Sequence, residues 1–159
     1  MPKSENYKSI FIDLAKSKGY KILYPNKVEA NASIDLKLEG QTNGKKSIVS
    51  VDIKKKNGKS ANTWVYIEFQ NSKGGDGWIY GQSNFIAFET NHSFVLVPRK
   101  KLLQFLSENE LVRWDLPFVD KPWNAKYRLY RRPSTLEKIT QIKVEDLNNI
   151  NNINIWQKH

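Results

Sequence analysis

At 159 residues the chain has the length of one domain with a real hydrophobic core, and its formal charge of +10 favours a polyanionic partner. The absence of cysteine excludes disulfides, zinc–thiolate centres and cysteine nucleophiles. With His92 and His159 as the two histidines, a histidine-based nuclease or a multi-histidine metal site is set aside as well.

In chain order, Ser4 is placed to cap an amphipathic helix with Tyr7, Ile10, Phe11 and Leu14 on one face, ending at Gly19. Tyr20–Tyr24 reads as a short strand stopped by Pro25. Three strand-like segments follow, Ser33–Glu39, Ile48–Lys56 and Trp64–Gln70. Asn71–Gly77 is a glycine-rich polar loop, a candidate mobile loop, and it carries no phosphate-cradle motif. Gly77–Ser83 reads as a helical turn, Phe85–Glu89 and Phe94–Val97 as strands, and Pro98 opens a helix through Leu106. Trp114–Trp123, with Pro117 and Pro122, is an irregular aromatic segment, and Asn148–Asn154 has biased composition. No apolar run approaches the roughly 20 residues of a membrane-spanning helix. The opening Met-Pro-Lys-Ser-Glu has no signal-peptide character.

The three central segments alternate. Ile34, Leu36 and Leu38, then Val49, Val51 and Ile53, then Val65, Ile67 and Phe69 are apolar, with polar residues between them. Asn43-Gly44 is a strong two-residue hairpin signal, because both central residues of that turn need φ > 0. A turn there sets Asp35 opposite Asp52. A second hairpin centred on Ser60 would set Asp52 opposite Glu68. The expected result is a meander with an apolar face on the core and a row of three acids on the other face. Carboxylates in one cross-strand row repel one another, so a cation is the expected occupant.

Asp52-Ile53-Lys54 sharpens this reading, since residues two apart on a strand share a face. Two or three carboxylates there suit Mg²⁺ or Mn²⁺, and an ammonium beside them suits the charge that develops in phosphodiester hydrolysis. Asp35 followed by Asp52-Ile53-Lys54 on the next strand resembles the PD-(D/E)xK, or restriction-endonuclease-like, nucleases. The likeness continues through Asn62–Phe69, Gly77-Trp78 and Ser83–Phe88, as in small phage and bacterial members, and spans about residues 4–106. The Pro usually preceding the first acid is replaced by Ala32-Ser33-Ile34. A rival assignment takes Asp52 as the first acid and Glu68-Phe69-Gln70 as the second half of the motif, without a lysine.

The resemblance implies an α/β fold, a mixed sheet with an antiparallel meander core flanked by helices. It implies a single nuclease-like domain over 1–159, with a core to about 106 and a C-terminal elaboration over 107–159. It implies a Mg²⁺- or Mn²⁺-dependent DNA endonuclease of a bacterial or phage-infected cytoplasm. Asp35, Asp52 and Glu68 would ligate metal and Lys54 would assist the water or the transition state. Gln70, Gln82 and Ser83 are site-lining candidates. Glu5 or Asp13 would supply the first-helix acid that many relatives carry. Lys55 and Lys56, with Arg128, Arg131 and Arg132 of a possible late strand over Lys126–Arg132, are candidate DNA contacts. Cleavage of both strands would favour a homodimer. The competing readings are a catalytically inactive nucleic-acid-binding module of the same fold and a phage protein that binds an acidic host protein.

Overall fold

The Asn43-Gly44 turn forms as its chemistry requires, with φ of 53° and 77°, and it sets the register of the first hairpin. The computed structural model describes residues 6–159. The hairpin strands are β2 (Leu36–Thr42) and β3 (Lys45–Lys54), paired antiparallel with Leu36 opposite Val51 and Thr42 opposite Lys45. The first strand begins later than its alternation suggested. Ser33 has φ of 63°, which breaks the extended chain, so Asp35 stands at the mouth of β2 and not at its middle.

Helix α1 (Asn6–Ser17) buries Phe11, Leu14 and Ala15, and Gly19 turns out of it with φ of 91°. The expected cap Ser4 and the candidate acid Glu5 lie outside the described residues. Strand β1 (Lys21–Leu23) leads to the short helix α2 (Lys27–Asn31). A capping box starts α2: Asn26 Oδ1 accepts from Glu29 N–H, and Glu29 Oε1 accepts from Asn26 N–H. The Asn-x-x-Glu signal was readable in the sequence.

The remaining strands are β4 (Trp64–Gln70), β5 (Phe85–Glu89), β6 (Ser93–Pro98), β7 (Lys138–Lys143) and β8 (Asn154–Gln157), with helices α3 (Arg99–Asn109) and α4 (Val144–Leu147). A mixed six-stranded sheet runs β1-β2-β3-β5-β6-β8, and β4 pairs with β7 in a separate two-stranded sheet. The meander is therefore corrected. β3 pairs in parallel with β5, Asp52 opposite Ile86, and β4 pairs antiparallel with β7, Glu68 opposite Ile139. The polar stretch 57–63 is no hairpin turn, because β3 finds its second partner downstream.

The chain forms two compact units, one of 1–56, 82–99 and 152–159, the other of 57–81 and 100–151. In the first, α1 covers one face of the sheet. Phe11, Leu14 and Ala15 pack with Leu36, Leu38, Val51, Ile53, Ala87, Phe94 and Leu96. Trp156 of β8 stacks on Phe11, with ring centroids 5.1 Å apart. Both alternating sets of β3 and β5 are buried, including Val51, Asp52, Ile53, Ile86, Ala87 and Phe88, as a central parallel pair requires. Among the described residues no helix is long and apolar enough to cross a membrane.

In the second unit β4 buries Val65, Ile67 and Phe69. The glycine-rich loop after it is an ordered turn. Asn71 Oδ1 accepts from the N–H groups of Lys73 and Gly75, and Gly77 N–H returns to Phe69 O. A Cβ on Gly77 would lie 2.2 Å from the Glu68 carbonyl oxygen, which is backbone and cannot step aside. Gly77→Ala is expected to destabilise the fold by about 3 kcal/mol or more, read as a lowered urea midpoint.

Candidate functional site

The site is built where β2 begins beside the C-terminal half of β3. Asp35 N–H donates to Val51 O at 2.9 Å, which anchors the residue to β3. Asp35 Oδ2 accepts the Ile53 backbone N–H at 2.7 Å, so its carboxylate continues the ladder where β2 has ended. The other oxygen, Oδ1, accepts from Lys8 Nζ at 3.3 Å. Both acids of the predicted pair are thus brought together by the register that the Asn-Gly turn sets.

Asp52 is 2% exposed, one of the few acids inside the chain. Its Oδ1 pairs with Lys54 Nζ at 3.1 Å, while Oδ2 is buried with no hydrogen-bond partner. Burial pushes the Asp52 carboxyl up to about 7. Lys54 opposes that rise, and the charge of Asp35, within hydrogen-bonding reach, adds to it. A buried carboxylate oxygen without a donor is costly, and native folds seldom keep one without use. Asp52, Asp35 and Lys54 therefore form one electrostatic unit.

Helix α1 brings Tyr7 and Lys8 to this unit, in the place where an acid was expected. The Tyr7 hydroxyl is raised, first by burial, with Lys8 opposing and the charges of Asp35, Asp52 and Glu89 adding. Burial pulls the Lys8 ammonium down, but Asp35, Tyr7 and Asp52 outweigh it and the net shift is upward. Asp13, the alternative first-helix acid, is exposed on the outer side of α1. Glu89 at the end of β5 is buried and satisfied: Lys56 N–H donates to Oε1 at 3.0 Å and Lys158 Nζ to Oε2 at 2.8 Å. Sequence reasoning missed Tyr7, Lys8, Glu89 and Lys158. Tyr7 was assigned to the core stripe of α1, and the rest come from segments that only the fold brings together.

Glu68 does not join the row, since the register that placed it opposite Asp52 is not formed. It lies on β4 in the second unit, where its Oε1 accepts from Trp78 N–H at 3.3 Å. Among the described residues no three Asp, Glu, His or Cys side chains converge to hold a metal ion. Gln70, also on β4, donates to Leu136 O at 2.7 Å. Ser83 is 2% exposed with an unpartnered Oγ, and its carbonyl accepts from Arg99 Nε at 2.8 Å. Exposed Gln82 is held through its backbone N–H to Ala32 O. The neighbouring Asn84, not singled out by the sequence, links β3 to β5: its Oδ1 accepts from Ser50 N–H and Oγ.

Lys55 and Lys56 are exposed just beyond Lys54. The possible strand over Lys126–Arg132 is not formed, and Tyr130 makes isolated bridges to Val119 and Ile139. Its arginines are engaged inside the second unit. Arg128 donates to Pro117 O, Arg131 lies 3.9 Å from the centre of the Phe118 ring, and Arg132 grips buried Glu137 with both Nε and Nη2. The first unit holds fourteen Lys and Arg against seven Asp and Glu, so most of the excess positive charge belongs to the unit that carries the acid pair. Compared with known proteins, the chain matches no family model, no curated protein and no solved structure.

Proposed function

We propose that the chain is a metal-dependent endonuclease that hydrolyses DNA phosphodiester bonds at Asp35, Asp52 and Lys54. The observation that carries this reading is the buried, unpartnered Oδ2 of Asp52, set against a second carboxylate and bonded through its other oxygen to Lys54. Donors of this kind fit Mg²⁺ or Mn²⁺, hard cations that take oxygen ligands from one or two carboxylates and keep several waters. Asp35 and Asp52 would hold the ion, which supplies a more acidic water and neutralises charge on a phosphoryl oxygen. Lys54 is fixed beside Asp52 and donates a hydrogen bond to the attacking water or to the charge developing on phosphorus oxygens. The positive surface of the same unit attracts the phosphate backbone and makes binding fall steeply with salt. Cleavage of both strands calls for two copies of the site, hence a homodimer.

Asp35 with Asp52-Ile53-Lys54 is preferred over a pairing of Asp52 with Glu68-Phe69-Gln70. The preferred set supplies the ammonium, and its members share one sheet. A second reading, a DNA-binding module of the same kind without catalysis, is favoured by the lack of a third converging acid among the described residues. The two separate in a cleavage assay on linear, supercoiled and branched DNA with Mg²⁺, Mn²⁺ or EDTA. Metal-dependent cleavage that disappears in Asp52→Ala is expected. Activity equal in Asp52→Ala and wild type removes the site, and DNA binding without cleavage in any metal leaves the binding module.

A further inference from the structure

Two lysines already occupy the acid pair as cations. Lys54 comes from the strand itself, but Lys8 reaches Asp35 from α1 and is the more exposed of the two, with 45% of its side chain accessible against 28%. The oxygens of Asp35 are not equivalent. Oδ2 is committed to the Ile53 N–H at 2.7 Å, so Oδ1, the oxygen that Lys8 holds at 3.3 Å, is the one open to another cation.

We propose that Lys8 is a phosphate-binding residue of this site, stored as the counterion of Asp35 until a divalent cation displaces it. This role of Lys8 presupposes the metal-dependent nuclease reading above. A divalent ion and an ammonium on one carboxylate oxygen repel, and the doubly charged ion wins at a pair of carboxylates. The long-range pair to a half-exposed lysine is the weaker link, because such pairs gain little in solvent. Released, the Lys8 ammonium stands at the mouth of the site on a flexible stem, where a phosphate of the bound strand is its natural partner. Metal and DNA then favour each other through one residue. Each makes the other's binding tighter, as linkage requires.

The test separates the two halves of this proposal. Mn²⁺ alone is titrated into wild type, Lys8→Met, Lys8→Gln and Lys16→Met, with the free ion followed by electron paramagnetic resonance. Lys16 is an exposed lysine of the same helix and serves as the charge control. Removing the resident counterion is expected to tighten Mn²⁺ binding roughly two- to five-fold in both Lys8 variants and not in Lys16→Met. Binding of a labelled DNA duplex is then measured in EDTA and in Ca²⁺. The Lys8 variants should match wild type in EDTA, bind more weakly in Ca²⁺, and lose about 0.9 from the salt slope there. Unchanged or weaker Mn²⁺ binding in both variants overturns the counterion role. Equal DNA affinity in Ca²⁺ overturns the phosphate contact. Absence of Mn²⁺ binding in wild type removes the nuclease reading itself, a distinct result.

Discussion

Asp52→Asn is expected to stabilise the metal-free protein by roughly 4 kcal/mol at pH 8, while abolishing cleavage. Burial, more than the nearby Asp35 charge, moves the Asp52 carboxyl from 3.8 to about 7 in the folded chain. Between those values the folded state holds a proton that the unfolded state has lost. The benefit of the protonated form is complete below about pH 4, drains away as pH rises, and is gone above about 7. Asparagine keeps the shape of the neutral acid without the ionised form, so the variant and wild type should agree near pH 4, separate between about 4 and 7, and keep a constant offset above that. Urea unfolding in EDTA across pH 4 to 9 reads this directly. Mg²⁺ at pH 8 should raise the midpoint of wild type and leave Asp52→Asn unmoved, since a ligand stabilises only the state that binds it. Parallel pH curves for the two proteins would mean that Asp52 carries its charge at no cost.

Lys54→Met is expected to slow single-turnover cleavage by about 10³-fold while Mn²⁺ binding survives. Lys54 sits 3.1 Å from Asp52 Oδ1 and helps to hold that carboxyl down against burial. On the nuclease reading, its loss removes a donor to the reacting phosphate but neither of the two carboxylates. Asp52→Asn should instead lose metal binding and cleavage together. The contrast distinguishes a residue that acts on the substrate from one that holds the ion. Loss of Mn²⁺ binding in Lys54→Met at pH 8.5, with the protein still folded, would place Lys54 in the metal's support and withdraw its part in the chemistry.

Local signals were legible in the sequence and long-range ones were not. Asn43-Gly44 admits one kind of turn, and that turn sets Leu36 against Val51 and carries Asp35 to Asp52. Trp64–Gln70 and Phe85–Glu89 have the bounds that their patterns gave. The partners of those strands were hidden, because alternation states which face is buried and not against what. Residues 57–63 have the polar composition of a hairpin loop, yet they carry the chain out of one sheet and into another. Glu68 was drawn into the site by that assumed pairing. Lys138–Lys143 and Asn154–Gln157 were passed over, since Thr140 and Gln141 are buried polar residues and Asn154 follows an asparagine-rich run. Burial of Asp52 was equally invisible. On an antiparallel meander its face would be wet, whereas β3, central in the sheet and parallel to β5, is buried on both faces.

The interleaving of the two units has a consequence for how the protein comes to be made. β6 is synthesised well before β8, and the whole segment 100–151 of the other unit emerges between them. Until β8 arrives, the edge of β6 has no partner, and Trp156 and Lys158 are missing from Phe11 and Glu89. Such distant pairing folds slowly, and an unpaired apolar edge invites aggregation in the interval. A growing chain thus carries its acid pair and hairpin early but finishes the sheet around them late. On the nuclease reading proposed above, its ability to cut DNA would be withheld during translation by the order in which the strands are delivered.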